Sequence, residues 1–295
     1  MSYVIVTDSC CNLPGHIIDE LDIKILSLTF IDSEGNQYVS YERGVDKEST
    51  LKEFYEKMRE GVTFTTSLPK LEDTNKIMKE LLEEKKDILY LAFSSGLSGT
   101  YQAVSLLMAQ LREQYPKRKL IAVDTLAASL GQGMLVYDAA MLKKDGKSIE
   151  DVAKWVEDNK QNQAHWFTVS DLVYLFRGGR VSRTSAWAGN LLNIKPVLHV
   201  DDEGHLIPME KVRGRKKSMN ALVEHMEKTY LGTEGLGNNI MISHGDCIDD
   251  AQYVEKKIRE RWPDVNMIIN YVDPVIGAHS GPGTLALFFL AKNKN

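Results

Sequence analysis

Three short apolar runs, YVIV (3–6), ILYLAF (88–93) and LIAV (120–123), constrain this chain most. Each is long enough for a strand and too short for a buried helix. None alternates polar with apolar residues, as expected of strands covered on both faces. Between the first two, Leu71, Ile77, Met78, Leu81 and Leu82 recur at helical spacing, which predicts a helix over 70–84. Strands alternating with helices predict an α/β fold with a largely parallel sheet flanked by helices. TFIDSEGNQYVS (29–40) departs from this rhythm. Two strand-like runs around a Gly-containing turn predict a small hairpin inserted off that sheet.

After about residue 165 the texture changes. WFTVSDL, KPVLHV, HLIPMEKVR, MISHG and VNMIINYV read as strands, with a hairpin turn at DDEG (201–204). Helical patterns cover 215–229 and 249–260. This predicts a second α/β layer domain with a mixed sheet. The charged stretch EDVAKWVEDNKQNQ (150–163) is the connection, read as helical. The expected division is therefore 1–163 and 164–295.

Composition narrows the function. Hydrophobic residues make up 43%, enough for a substantial core, and a net charge of -5 gives no drive toward nucleic acid or an anionic membrane. Cys10, Cys11 and Cys247 match no zinc spacing and fit a reducing compartment. No signal peptide is read at MSYVIVTDS, and LALFFLA (285–291) is too short to cross a bilayer. The expectation is a cytoplasmic protein without a transmembrane segment.

Three loops rich in small residues carry the candidate chemistry. FSSGLSGTYQ (93–102) lies between a strand and a helix. It lacks the GxxxxGK[ST] of a phosphate loop, the GxSxG of a hydrolase elbow and the GxGxxG of a dinucleotide site. Ser98 there either caps the helix or adds a hydroxyl donor to an anion at the helix start, with Ser95 beside it. TTSLP (65–69) places Thr66 and Ser67 in a polar turn before a helix, again caps or ligands. Both turns are expected at strand ends of one parallel sheet, where open α/β sheets bind ligands. In VIGAHSGPGTLAL (275–287), read as a loop, His279 sits among glycines and either serves an anion or marks a surface turn. FRGGRVS (176–182) and KVRGRKK (211–217) gather positive charge, as a solvated face, a phosphate site or a dock for an acidic partner. Asp8 and Asp124 end strands, where hydrogen-bonded turns compete with a magnesium site; no metal is assigned.

Taken in order, VTDSCCNLP, TTSLP, FSSGLSGTYQ, FTVSDLVYLFRGGRVS, KPVLHVDDEGHLIPMEKVRGRKK and VIGAHSGPGTLAL resemble the DegV family of fatty-acid-binding proteins. That family includes the fatty-acid-binding subunits of bacterial fatty acid kinase. The resemblance runs from residue 4 to about 287 and implies two α/β domains with a lipid between them. It further implies a bacterial source. Thr66, Ser98 and His279 match the positions that hold or neighbour the lipid carboxylate, with Ser67 and Ser95 as neighbours. Arg213, with Arg215 as its companion, matches a surface that faces the kinase. Cys10-Cys11 and Leu68 depart from the usual small or hydroxyl residues and glutamine.

The function implied is a non-catalytic carrier. It binds a long-chain fatty acid, with no cofactor besides that ligand. It presents the carboxylate to a fatty acid kinase, and an acyltransferase uses the acyl phosphate downstream for phospholipid synthesis. Thr66 and Ser98 are neutral donors, so the anion is expected to be held without a salt bridge. The alternative is a serine-dependent acyl-ester hydrolase with Ser98 attacking and His279 as base. A small-molecule kinase is the third reading.

Overall fold

The protein is described here by a computed structural model that covers residues 2–45, 48–182, 193–232 and 234–292. The first part of the chain runs through β1 (Tyr3–Asp8), α1 (Gly15–Glu20), β2 (Lys24–Leu26), β3 (Thr29–Ile31), β4 (Gln37–Val39) and α2 (Glu48–Arg59). It continues through β5 (Thr65–Ser67), α3 (Leu71–Glu83), β6 (Asp87–Ala92), α4 (Thr100–Gln114), β7 (Leu120–Asp124), α5 (Leu130–Lys144) and α6 (Ile149–Asn159). The remainder comprises β8 (Gln163–Thr168), α7 (Val173–Arg177), β9 (Ile194–Val200), β10 (Leu206–Arg213), α8 (Arg215–Thr229), β11 (Asn239–His244), α9 (Ile248–Arg259), β12 (Asn266–Tyr271), α10 (Pro274–Ser280) and β13 (Leu285–Leu290).

The apolar runs of the sequence become a parallel sheet in the order β2-β1-β6-β7. Both faces of β1 and β6 are buried throughout, which is why those strands show no alternation. The second sheet is mixed, in the order β10-β9-β8-β13-β11-β12, with β11 and β12 parallel and the other neighbours antiparallel. An α/β fold with one parallel and one mixed sheet is therefore what the chain adopts.

Two local expectations are corrected. The hairpin of 29–40 forms at β3–β4 and, as expected, stands off the parallel sheet. It builds a separate three-stranded sheet, β4-β3-β5, because TTS pairs antiparallel with TFI. Thr66 and Ser67 thus lie on a strand, not in a turn at the end of the parallel sheet. The Gly-rich segment around His279 is not a loop: residues 274–280 form α10. Asp273 accepts from the backbone N–H groups of Val275 and Ile276, and Pro274 takes the first helical position.

Helix α5 joins the two large sheets. Residues 130–136 and 138–140 are all buried. One core runs from Ile5, Leu89 and Val123 through Leu130 and Met134 to Phe167, Met241 and Phe288. Asp138 on this helix is enclosed between α5 and β11. Its Oδ1 accepts from Asn239 Nδ2 at 2.8 Å, while Oδ2 meets no partner among the described residues. Burial pushes the Asp138 carboxyl up to about 8, against the pull of the Asn239 hydrogen bond. From 3.8 to about 8 the folded chain then retains a proton that the unfolded chain releases. Stability from this group is thus highest in acid and falls as pH rises through that window. The expected slope is at most about 1.4 kcal/mol per pH unit between about pH 7 and 8. Urea denaturation of Asp138→Asn across that range should lack this slope; parallel curves for variant and wild type would contradict the assignment.

Candidate functional site

A cavity of about 330 Å³ opens between the parallel sheet, the mixed sheet and α10. Leu28, Phe93, Leu97, Phe167, Val275 and Phe288 are among its apolar walls, and Thr66, Ser98, Arg180 and His279 bring polar atoms to it. These four come from positions far apart in sequence.

The FSSGLSG loop is fixed mainly by its own backbone hydrogen bonds and by two strand-end carboxylates. Asp8 Oδ2 accepts from Phe93 N at 2.9 Å, and Asp124 Oδ1 accepts from Ser95 N at 3.2 Å. Burial pushes the Asp8 carboxyl up to about 6, opposed by donors that include Phe93 N–H and the Gln132 amide. Both carboxylates therefore act as turn anchors. Among the described residues no His, Cys, Asp and Glu grouping could hold a metal ion. From the mixed sheet, the β9–β10 hairpin tip packs on the same loop: Ser94 Oγ donates to Gly204 O at 2.9 Å. A Cβ on Gly204 would stand 2.1 Å from that hydroxyl, and its φ of +81° already favours glycine.

Ser98 lines the cavity and ties down the start of α4, just before its N-cap Gly99: its Oγ accepts from Thr100 N at 3.3 Å and lies 2.8 Å from Thr100 Oγ1. Thr66 projects from β5, where its Oγ1 lies 2.8 Å from His279 Nε2. Burial, aided by the nearby Arg180 guanidinium, holds the His279 pKa down at about 4. The imidazole is therefore neutral at physiological pH. When Nε2 carries the proton it donates to Thr66, whose own O–H is then released toward the cavity. Gly178, in the FRGG turn, makes room for this ring: a Cβ there would stand 2.3 Å from His279 Nδ1.

Arg180 is the cation of this group. Its Nε donates to Leu97 O at 3.2 Å and its Nη1 donates to Gly178 O. Among the described residues it forms no ion pair, so a half-buried guanidinium faces the cavity without a carboxylate partner. A cation thus lines the cavity beside the neutral hydroxyls of Thr66 and Ser98, a residue that the sequence reading did not include. In the sequence FRGGRVS is only clustered charge; nothing in its local pattern marks Arg180, which follows Gly178 and Gly179, as the arginine that turns inward.

The other expected residues divide. Ser67 reaches the cavity at its exposed rim. Ser95 does not line it. Arg213 is exposed at the end of the edge strand β10, and Arg215 is paired with Asp250 at 2.8 Å; neither lines the cavity. Ser98 and His279 are not hydrogen-bonded to one another: Ser98 pairs with Thr100 and His279 with Thr66. Burial pushes the thiols of Cys10 and Cys11 up, which makes them poor nucleophiles. Among the described residues no helix is long and apolar enough to cross a membrane.

Comparison with known proteins follows this geometry. The family model described as an uncharacterised protein of the DegV family matches residues 2–292. A DegV domain-containing protein of Clostridium perfringens is 44% identical over 292 residues, covering 99% of this chain and 98% of that one. A solved DegV family protein from Thermus thermophilus, described by its fatty acid binding, superposes with a TM-score of 0.85 at 32% identity, covering 99% of this chain and 100% of that one. A fatty-acid-binding DegV family protein from Streptococcus agalactiae gives a TM-score of 0.83 at 28% identity, with 99% and 100% covered. With nearly its whole length matched by the family model and by these relatives, the chain belongs to the DegV family.

Proposed function

We propose that this chain binds one long-chain fatty acid and presents its carboxylate to a separate fatty acid kinase. The observation that carries the reading is the cavity itself: apolar walls with Thr66, His279, Ser98 and Arg180 gathered at it. Burying a methylene contributes about 0.8 kcal/mol, so some fourteen give roughly 11 kcal/mol before ordering costs. That gain survives only if the carboxylate keeps hydrogen bonds on leaving water. Thr66 and Ser98 hydroxyls donate to it, and Arg180 supplies the opposite charge. In this reading the chain divides near residue 163, at the start of β8, and the lipid lies along the seam between the two parts. Ser67 borders the head group at the rim, and Ser95 acts only through the loop, which its N–H ties to Asp124.

In this reading the chain is a cytoplasmic carrier and not itself a catalyst. The kinase converts the presented carboxylate to an acyl phosphate, which an acyltransferase consumes in phospholipid synthesis. Arg213, exposed and outside the cavity, docks the kinase with Arg215 beside it. The hydrolase alternative loses support because a serine nucleophile needs a base on its hydroxyl, and His279 bonds Thr66 instead.

Organic extraction of the purified protein, followed by mass spectrometry, should yield about one fatty acid per chain; a protein that carries none and takes up none would defeat the proposal. Arg213→Ala should keep the lipid and slow its phosphorylation by a DegV-partner kinase. Equal loss of binding and phosphorylation would reject that division of roles.

A further inference from the structure

His279 rides on a helix of only seven residues, so its placement depends on how that helix begins. Asp273 is the N-cap: Oδ1 accepts from Ile276 N at 3.1 Å and Oδ2 from Val275 N at 3.3 Å. The same Oδ2 accepts from Ser40 Oγ at 2.5 Å. Ser40 closes the hairpin segment, and its backbone N–H donates to Leu28 O at 2.9 Å. Leu28 in turn lines the cavity. Asp273 is held from a third side, since its N–H donates to Asn12 Oδ1 at 3.3 Å. The hairpin and the histidine helix, separated by more than 230 positions, thus meet at one carboxylate.

We infer that Asp273, fixed by Ser40, is a positioning residue that sets where the His279 imidazole meets Thr66. The carboxylate touches neither the cavity nor the ring. It lies in the wall of a separate cleft, on the far side of the first turn of α10. Its action is mechanical. Without the cap the first turn of α10 frays, and a helix of fewer than two turns has little else to hold the register. His279 then leaves Thr66, and the competent arrangement becomes a minor population. The inference rests on the fatty-acid reading for its effect on affinity but not for its effect on the imidazole.

The test compares wild type with Asp273→Ala, Asp273→Asn and Ser40→Ala. Delipidated protein is read by imidazole ¹⁵N shifts of His279, and palmitate affinity is measured separately. Asp273→Ala should move the His279 Nε2 resonance and weaken palmitate binding roughly three- to thirtyfold. Asp273→Asn should stay closer to wild type than Asp273→Ala in both, because the asparagine oxygen still caps Ile276 N and its amide donates to Ser40 Oγ, while Val275 N loses its acceptor. Ser40→Ala should move the resonance in the same direction by a smaller step, and it decides the matter if Asp273→Ala does not fold. A His279 resonance unchanged in both Ser40→Ala and a folded Asp273→Ala overturns the inference. So does weakened binding with the imidazole unmoved. Wild-type protein that binds no palmitate, with the resonance shifts still present, would instead overturn the fatty-acid reading and leave the positioning role standing.

Discussion

Ala286→Trp is expected to abolish fatty-acid binding while the fold persists. Ala286 lies on β13, directly across from Phe167 on β8 and two residues before Phe288. All three line the cavity, as strand alternation requires of positions i and i+2 on one face. An indole at 286 therefore occupies the volume that an acyl tail would take. Overpacking normally costs 1–3 kcal/mol in a filled core, but here the added group enters open space. Palmitate affinity should fall at least about a hundredfold, the equivalent of roughly 3 kcal/mol. The melting temperature should stay within a few degrees of wild type. Titration calorimetry with circular dichroism reads both; undiminished affinity in a folded variant would place the tail elsewhere.

Gly178→Ala carries the second large effect, and it acts on the head group. Gly178 has φ -72° and ψ -11°, a backbone that any residue adopts, so backbone strain does not enter. The added methyl would stand 2.3 Å from His279 Nδ1, 3.1 Å from Cγ and 3.3 Å from Cβ. The ring must move, and the hydrogen bond to Thr66 goes with it. Palmitate binding should weaken up to about tenfold, in line with the loss of a neutral hydrogen bond that orients the Thr66 hydroxyl. A double-mutant cycle separates this route from general damage. In a His279→Ala background the same methyl has nothing to displace, so Gly178→Ala should cost little there. Full additivity would show that Gly178 acts through something other than His279.

The strands of the parallel sheet were legible because double-sided burial makes them unbroken apolar runs. Helix α3 was legible for the opposite reason, its apolar residues keeping to one face. Helix α5 left no such trace, since residues 130–136 and 138–140 are all enclosed and periodicity vanishes when no face meets solvent. The glycines around His279 hid α10, although Asp273-Pro274 is a helix-start signature. Thr66 was recognised, but its setting was not: pairing of TTS with TFI is a contact between distant segments, which local pattern does not encode. Arg180 is the clearest omission. Runs of basic residues usually face water, and only the fold reveals that this arginine turns toward Leu97 O and the cavity.

In the proposed function an acyl carboxylate sits among Thr66, Ser98, His279 and Arg180, whose guanidinium has no ion-pair partner among the described residues. The most direct measurement is ¹³C NMR of palmitate labelled at the carboxyl carbon, bound to the protein and titrated with acid. The account predicts a single bound resonance that stays ionised well below the pH at which free palmitate protonates, because the guanidinium favours the charged form. A bound resonance that protonates at or above the free value, or one unaffected by Arg180→Ala, would contradict it.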